Sequence, residues 1–433
     1  MSGGAPGSPG GGSGAARLGP DAYLESLRPV GWRLGLERMR KLTTALGLPQ
    51  HRFASIHVVG TNGKSSVARM AAALLEAHGV RAGAMLSPHL ARWTERTLVR
   101  GEEVSPAAWR EAVEATARAA EGVDRTLEEG DAVTEFEAAT AAGFVALARA
   151  RVEAAAIEAG LGGRLDATNT IPSRVTVLTS VGLDHTEWLG ASEEEIAAEK
   201  LAVLRECTTL VLGRVSPVVA ALAERTAAER RARLVRAPED PGEGVRLRAA
   251  GAFQRRNFAL AVAAVEAFLG RAADPAAVAA AAERVTVPGR LERVAEDPPT
   301  YLDAAHNRDG AAALAEALPG VAEGRRVVAC LAVLADKDAE AMVRALAPAL
   351  ERAVCTELPA AALAGQGRPG ARPRPATELA ALCAAAGLSA EAEPDPEAAL
   401  RRARALAAAE PRGALLVAGS HYLLAPARAI LNP

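Results

Sequence analysis

The chain has 433 residues, half of them hydrophobic, and its 50 basic and 52 acidic residues leave a formal net charge of -2. That length suits two domains of ordinary size better than one core. The balanced charge excludes a dominant basic field, no aromatic-basic interleaving offers a track for single-stranded nucleic acid, and no run approaches the roughly 20 apolar residues of a membrane span.

In chain order, residues 1–16 are Gly, Ser, Pro and Ala after the initial Met, with no charge and no apolar centre, which predicts a disordered tail rather than a secretory signal. Residues 23–46 read mostly as helix, interrupted around Pro29 and Gly31. Strand-like runs at 56–59, 82–86, 154–158, 175–179 and 210–212 then alternate with helical patterns at 67–78, 107–120, 136–150 and 193–204. This order predicts an α/β unit whose mostly parallel sheet carries helices on both faces. Another helix is expected over 258–269, with Arg255, Arg256 and Asn257 at its start. After the break at Val287-Pro-Gly-Arg-Leu291, strands at 301–303, 327–331, 353–356 and 414–418 alternate with helices at 310–318, 339–350, 376–386 and 397–409. We therefore expect a large P-loop-type nucleotide-binding domain over 17–288 and a smaller α/β domain over 289–433, with a Gly/Pro/Arg-rich loop at 365–375. Cys207, Cys330 and Cys355 lie in or beside apolar runs, and with Cys383 they form no CxxC pair. Reduced, buried thiols and a cytoplasmic location are expected.

The chemistry-bearing segments follow strands. Gly60-Thr-Asn-Gly-Lys-Ser-Ser66 turns a β-branched run directly into a helix. Unpaired backbone N–H groups, glycines and the Lys64 charge then surround one small volume, as phosphate binding requires. Glu158 ends one strand and leads into Gly160-Leu-Gly-Gly-Arg-Leu-Asp-Ala-Thr-Asn169, while Gly182-Leu-Asp-His185 follows another. Either Glu158 and His185 reach a cation beside the phosphates, or Glu158 pairs with Arg164 and His185 bonds a loop. Ser87-Pro-His-Leu90 offers a further oxygen or only a turn, and Glu95 and Arg96 read equally as a substrate contact or an exposed ion pair. Lys200 falls inside a helix, as a solvated side chain, a phosphate ligand or the amine of a carbamate. Pro288-Gly-Arg-Leu-Glu292, Asp303-Ala-Ala-His-Asn307 and Ala418-Gly-Ser-His-Tyr422 place Arg290, Asp303, His306 and Ser420 at strand ends of the second domain. Trp32, Trp93, Trp109, Trp188 and Phe136 belong either to a ring pocket or to the core.

Taken in order, these segments resemble folylpolyglutamate synthase/dihydrofolate synthase, a family related to the muramyl-peptide ligases. The resemblance implies an ATP-dependent ligase that adds L-glutamate to dihydropteroate or reduced folates through an acyl phosphate, with Mg²⁺ as metal. It implies that Thr61, Asn62, Gly63, Lys64, Ser65 and Ser66 hold the triphosphate, with Asn257, Arg290 and Asp303 as further ATP contacts. Ser87, Glu158 and His185 become magnesium ligands, joined by Lys200 if carbamylated. Lys64, Lys200 and His306 are the catalytic candidates, and Arg38, His306, Asn307 and Ser420 those for glutamate or acceptor. Ser65 and Arg308 depart from the family's usual glycine and proline. With both halves of the cleft in one chain, a monomer without a protein partner is expected. The competing readings are a muramyl-peptide ligase using a UDP-linked acceptor and a non-catalytic ATP-binding homologue.

Overall fold

A computed structural model describes residues 18–358, 363 and 371–431. The expected tail over 1–16 and most of the loop predicted over 365–375 lie outside the described residues. The first sheet contains β1 (Ala54–Val59), β2 (Ala82–Met85), β3 (Thr97–Val99), β4 (Glu102–Glu103), β5 (Ala154–Glu158), β6 (Ser173–Leu178), β7 (Thr209–Leu212) and β8 (Arg233–Arg236). Their spatial order is β4-β3-β2-β5-β1-β6-β7-β8, parallel except where β3 pairs with β2 and β4. The second sheet contains β9 (Glu292–Glu296), β10 (Pro299–Leu302), β11 (Arg326–Leu331), β12 (Arg352–Cys355), β13 (Ser389–Ala392) and β14 (Gly413–Ala418). Its order is β13-β12-β11-β14-β10-β9, with only the β9–β10 pair antiparallel.

Both sheets are α/β, as their strand-helix alternation predicts. β5 shows why such a strand lacks a polar face. Ala155 and Ile157 enter one core and Ala154 and Ala156 the opposite one, so all four are buried. The small alanine side chains let helices approach both faces closely. On one face, Lys64–Ala77 packs against Ala252–Leu269, its buried Val67, Met70, Leu74 and Leu75 meeting Phe258 and Val265 in one core.

Several elements escape the sequence pattern. β8, β9 and β13 lie at or beside sheet edges and carry charged or half-exposed positions, so no apolar run marks them. Helices Pro217–Glu229 and Pro275–Arg284 do carry a start signal, Ser216 or Asp274 before a proline. Cys330, Cys355 and Cys383 are buried, but Cys207 is exposed, contrary to its expected place in a core. It stands in the turn before β7 with φ 57°, outside the run beside it. No helix among the described residues is long and apolar enough to cross a membrane.

Candidate active site

The carboxyl ends of β5, β1 and β6 lie side by side, and there the chain builds a cleft of about 970 Å³ walled on its other side by the second sheet's loops. Open α/β sheets bind ligands at this edge because the loops leaving adjacent strands diverge around it. The phosphate loop takes shape only with glycine. Gly60 has φ 151°, and a Cβ there would lie 1.9 Å from Thr179 Oγ1; Gly63 has φ 85°, with Asn257 Oδ1 2.6 Å from its added Cβ. Asn257 thus packs against the loop from Ala252–Leu269, held by its hydrogen bond to Gln254 at 3.0 Å. Helix Lys64–Ala77 begins at the loop and presents its first N–H groups toward the cleft. Lys64 Nζ donates to the Gly60 and Thr61 carbonyls, each at 3.1 Å.

Glu158 sits at the floor. One carboxylate oxygen accepts the Ser65 hydroxyl at 2.9 Å and the other accepts the Ser87 N–H at 2.9 Å. Burial raises its pKa, opposed by Lys64 and by these donors. Arg164 pairs with Glu199 at 2.7 Å instead, so the alternative pairing of Glu158 with Arg164 is not realised. Ser65, which replaces a glycine of the related pattern, thereby gains a definite partner.

Lys200 is 4% exposed, not a solvated helical lysine, and its Nζ donates to the Gly60 carbonyl at 3.0 Å. Burial first, then the Lys64 charge, push its pKa down to about 7. The helix Glu193–Leu201 turns this lysine inward beneath the phosphate loop. His185 has φ 53° and begins the short helix Thr186–Leu189 on the cleft wall. Its ring lies 6.1 Å from that of Trp32, which is 5.9 Å from Trp188. Trp32 and Phe136 line the cleft, Trp188 is 41% exposed, and Trp93 and Trp109 belong to the core.

From the second domain, Arg290, Asp303, His306 and Ser420 line the cleft. Asp303 is buried and accepts the N–H groups of Leu291 and Ala305, both at 2.8 Å, so it shapes the loop bearing Arg290. Ser420 accepts the Tyr422 N–H at 3.3 Å. Asn307 does not line the cavity. It caps the helix Arg308–Val321 through Gly310 N–H at 2.9 Å and pairs with Asn62 across the domains. Arg308 simply opens that helix.

Two expectations change. Arg38 does not line the cleft: Nε donates to both Glu137 oxygens at 3.1 Å, Nη1 to Asp131 and Nη2 to the Arg33 carbonyl at 2.7 Å. It lies behind Glu137, which does line the cleft. Replacing Arg38 by alanine strands the buried Glu137 carboxylate and is expected to cost about 3 kcal/mol of stability in urea unfolding; an unchanged midpoint would contradict this bracing role. Glu95 and Arg96 are no exposed pair. Glu95 accepts the N–H groups of Leu90, Ala91 and Arg92, while Arg96 Nε donates to His89 at 2.8 Å and its guanidinium lies 4.4 Å from the Trp93 ring centre.

The structure also adds residues that sequence reasoning missed. Asp166 accepts the Leu161 and Thr168 N–H groups, at 2.8 and 2.9 Å, and Thr168 in turn meets the buried His57 at 2.9 Å. Asp184 and Lys337 pair across the domains, and His421 is packed against the cleft among His306, Arg290, His89 and Arg96, where burial lowers its pKa. Asp166, Asp184 and His421 stood inside motifs already singled out, and Lys337 lies in the run Leu331-Ala-Val-Leu-Ala-Asp-Lys-Asp338, which repeats the same strand-end pattern.

Comparison with known proteins agrees with this geometry. Residues 289–421 match the Mur ligase, glutamate ligase domain family. The dihydrofolate synthase/folylpolyglutamate synthase of Mycobacterium tuberculosis is 38% identical over 362 residues, which cover 74% of each chain. The solved M. tuberculosis folylpolyglutamate synthase complexed with ADP has a TM-score of 0.86 at 32% identity, covering 96% of this chain and 99% of that one. The bifunctional folylpolyglutamate synthase/dihydrofolate synthase of Yersinia pestis, complexed with AMPPNP and Mn ion, gives 0.81 at 29% identity, with 98% of both chains covered. The chain belongs to the folylpolyglutamate synthase/dihydrofolate synthase family of ATP-dependent, amide-forming ligases.

Proposed function

We propose that this one cleft joins L-glutamate both to dihydropteroate and to reduced folates, with the nucleotide held over 17–288 and the amino acid largely by 289–433. The observation that carries the reading is the convergence of the phosphate loop, Glu158, His185 and Lys200 with Arg290, His306 and Ser420 around one cavity. The acceptor carboxylate attacks the terminal phosphorus of ATP, giving an acyl phosphate and ADP. The α-amine of glutamate then attacks the acyl carbon, the amide forms, and phosphate leaves with loss of a proton.

The N–H groups of 61–66 and the Lys64 charge hold the phosphates, once Lys64 exchanges its loop carbonyls for phosphate oxygens. Among the described residues, no three His, Cys, Asp or Glu side chains form a ready metal centre. That suits magnesium, which takes few protein ligands and completes its shell with phosphate oxygens and water. Burial opposes the Glu158 charge, so a cation beside it fits the donor set of Ser87, Glu158 and His185. Bound there, magnesium supplies charge neutralisation to the phosphate oxygens. A carbamate on Lys200 would add an oxygen ligand to that set. Asn257 packs beneath the nucleotide loop, Asp303 holds the Arg290 loop, and His306 and Ser420 face the space open to glutamate.

Side-by-side turnover tests the acceptor range. With Mg·ATP and L-glutamate, dihydropteroate and tetrahydrofolate are both expected to yield ADP and a product heavier by one glutamyl residue. Activity on one alone removes the dual reading, and turnover only with a UDP-linked acceptor overturns the folate assignment. Binding of ATP with no amide from any acceptor leaves a non-catalytic homologue.

A further inference from the structure

The second domain reaches the nucleotide-side loops through a polar cluster in which the chemistry above gives Asp184, Lys337 and Asn307 no task. Asp184 stands one residue before His185, and its side chain is 8% exposed. Three groups of the other domain meet its carboxylate. Lys337 Nζ forms an ion pair with one oxygen, Asn307 Nδ2 donates to the other at 3.1 Å, and His306 Nε2 lies 3.5 Å from that same oxygen. On its own side, Asp184 accepts the His185 N–H at 3.0 Å, next to a backbone held at φ 53°. Asn307 also exchanges two amide hydrogen bonds with Asn62 of the phosphate loop, at 3.1 and 3.2 Å. Gly182 completes the contact: an added Cβ there would lie 2.1 Å from the Asp309 carboxylate.

A buried ion pair is a poor stability device, because removing two charges from water offsets most of their attraction. Its placement across the domains, directly beside a candidate metal ligand, calls for another role. We infer that Asp184 and Lys337 form the closing clasp of this ligase, positioning residues that set His185 and the phosphate loop for reaction only while the second domain is docked. The inference rests on the ligase reading above. When the domains part, each charge returns to water, and the Asn62–Asn307 link opens with them. ATP still finds its loop in the first domain, but an acyl phosphate formed in the open state meets water before glutamate. The clasp thus makes productive transfer conditional on docking.

A double-mutant cycle on the full chain tests this, using Asp184→Asn, Lys337→Met and the pair together. Amide formation, ADP released per amide, and affinity for Mg·ADP are measured for each. Each single variant is expected to lose about 100-fold in amide formation, to release more than one ADP per amide, and to keep nucleotide affinity within about threefold. The double variant is expected to fall no further than the worse single, since both changes remove one contact. Multiplied losses in the double variant, or tight coupling retained by both singles, overturns the clasp. If the wild-type chain makes no amide with any acceptor, the ligase reading fails separately. Small-angle scattering with Mg·ADP then decides: expansion of both single variants supports the clasp, and unchanged compactness overturns it.

Discussion

Glu158→Gln is expected to lower amide formation by about a thousandfold, roughly 4 kcal/mol of lost transition-state stabilisation, while the protein stays folded. Glutamine keeps the shape; its one oxygen still accepts the Ser87 N–H, while its NH2 can donate to the Ser65 hydroxyl, which then accepts instead of donating. Beyond that one reversed contact it removes the negative charge that burial makes costly and that a cation would compensate. The defect should therefore appear as a changed magnesium dependence more than as weaker binding of metal-free nucleotide. A variant with wild-type turnover and an ordinary magnesium curve would return Glu158 to a purely structural place beneath the loop.

Lys200 carries the second large effect. Carbamate formation requires the neutral amine, and a pKa near 7 leaves about half of it neutral at pH 7 but only about a tenth at pH 6. The direction follows from the lowered value: the neutral fraction grows as pH rises through 7 and shrinks below it. Wild-type activity is accordingly expected to respond to added bicarbonate most strongly below pH 7. Lys200→Ala is expected to lose at least about 100-fold, to ignore bicarbonate, and to recover partly with a short carboxylate such as acetate. An unmodified ammonium in the active Mg·ATP complex would refute the carbamate, and an alanine variant of normal activity would remove Lys200 from the site altogether.

The fold was legible where burial on both faces imposed an apolar run, as at β5, β6 and β11. It was illegible where strands lie at rims and carry charge. The same division holds for the site. Lys64, His185 and Asp303 could be found because each follows a strand, and Glu158 because it ends one, where a parallel sheet gathers its loops; Arg290 instead stands two residues before β9, not at the end of a strand. Asp184, Lys337 and the Asn62–Asn307 pair could not be matched, since their meaning lies in contacts between positions up to 245 residues apart. Arg38 misled for another reason. It was a candidate only through the resemblance, and its geometry shows a guanidinium already engaged by Glu137, Asp131 and the Arg33 carbonyl.

The outer strands have one further consequence. All four sheet margins bear charge: Glu102 and Glu103 on β4, Arg233 and Arg236 on β8, Glu391 on β13, and Glu292, Arg293 and Glu296 on β9. Any foreign strand adding itself there would have to strip water from carboxylates or guanidinium groups to reach the free backbone. Ribbon growth from either sheet is thereby discouraged at every terminus of the hydrogen-bond ladder, so crowding alone should not drive these chains to stack edge to edge.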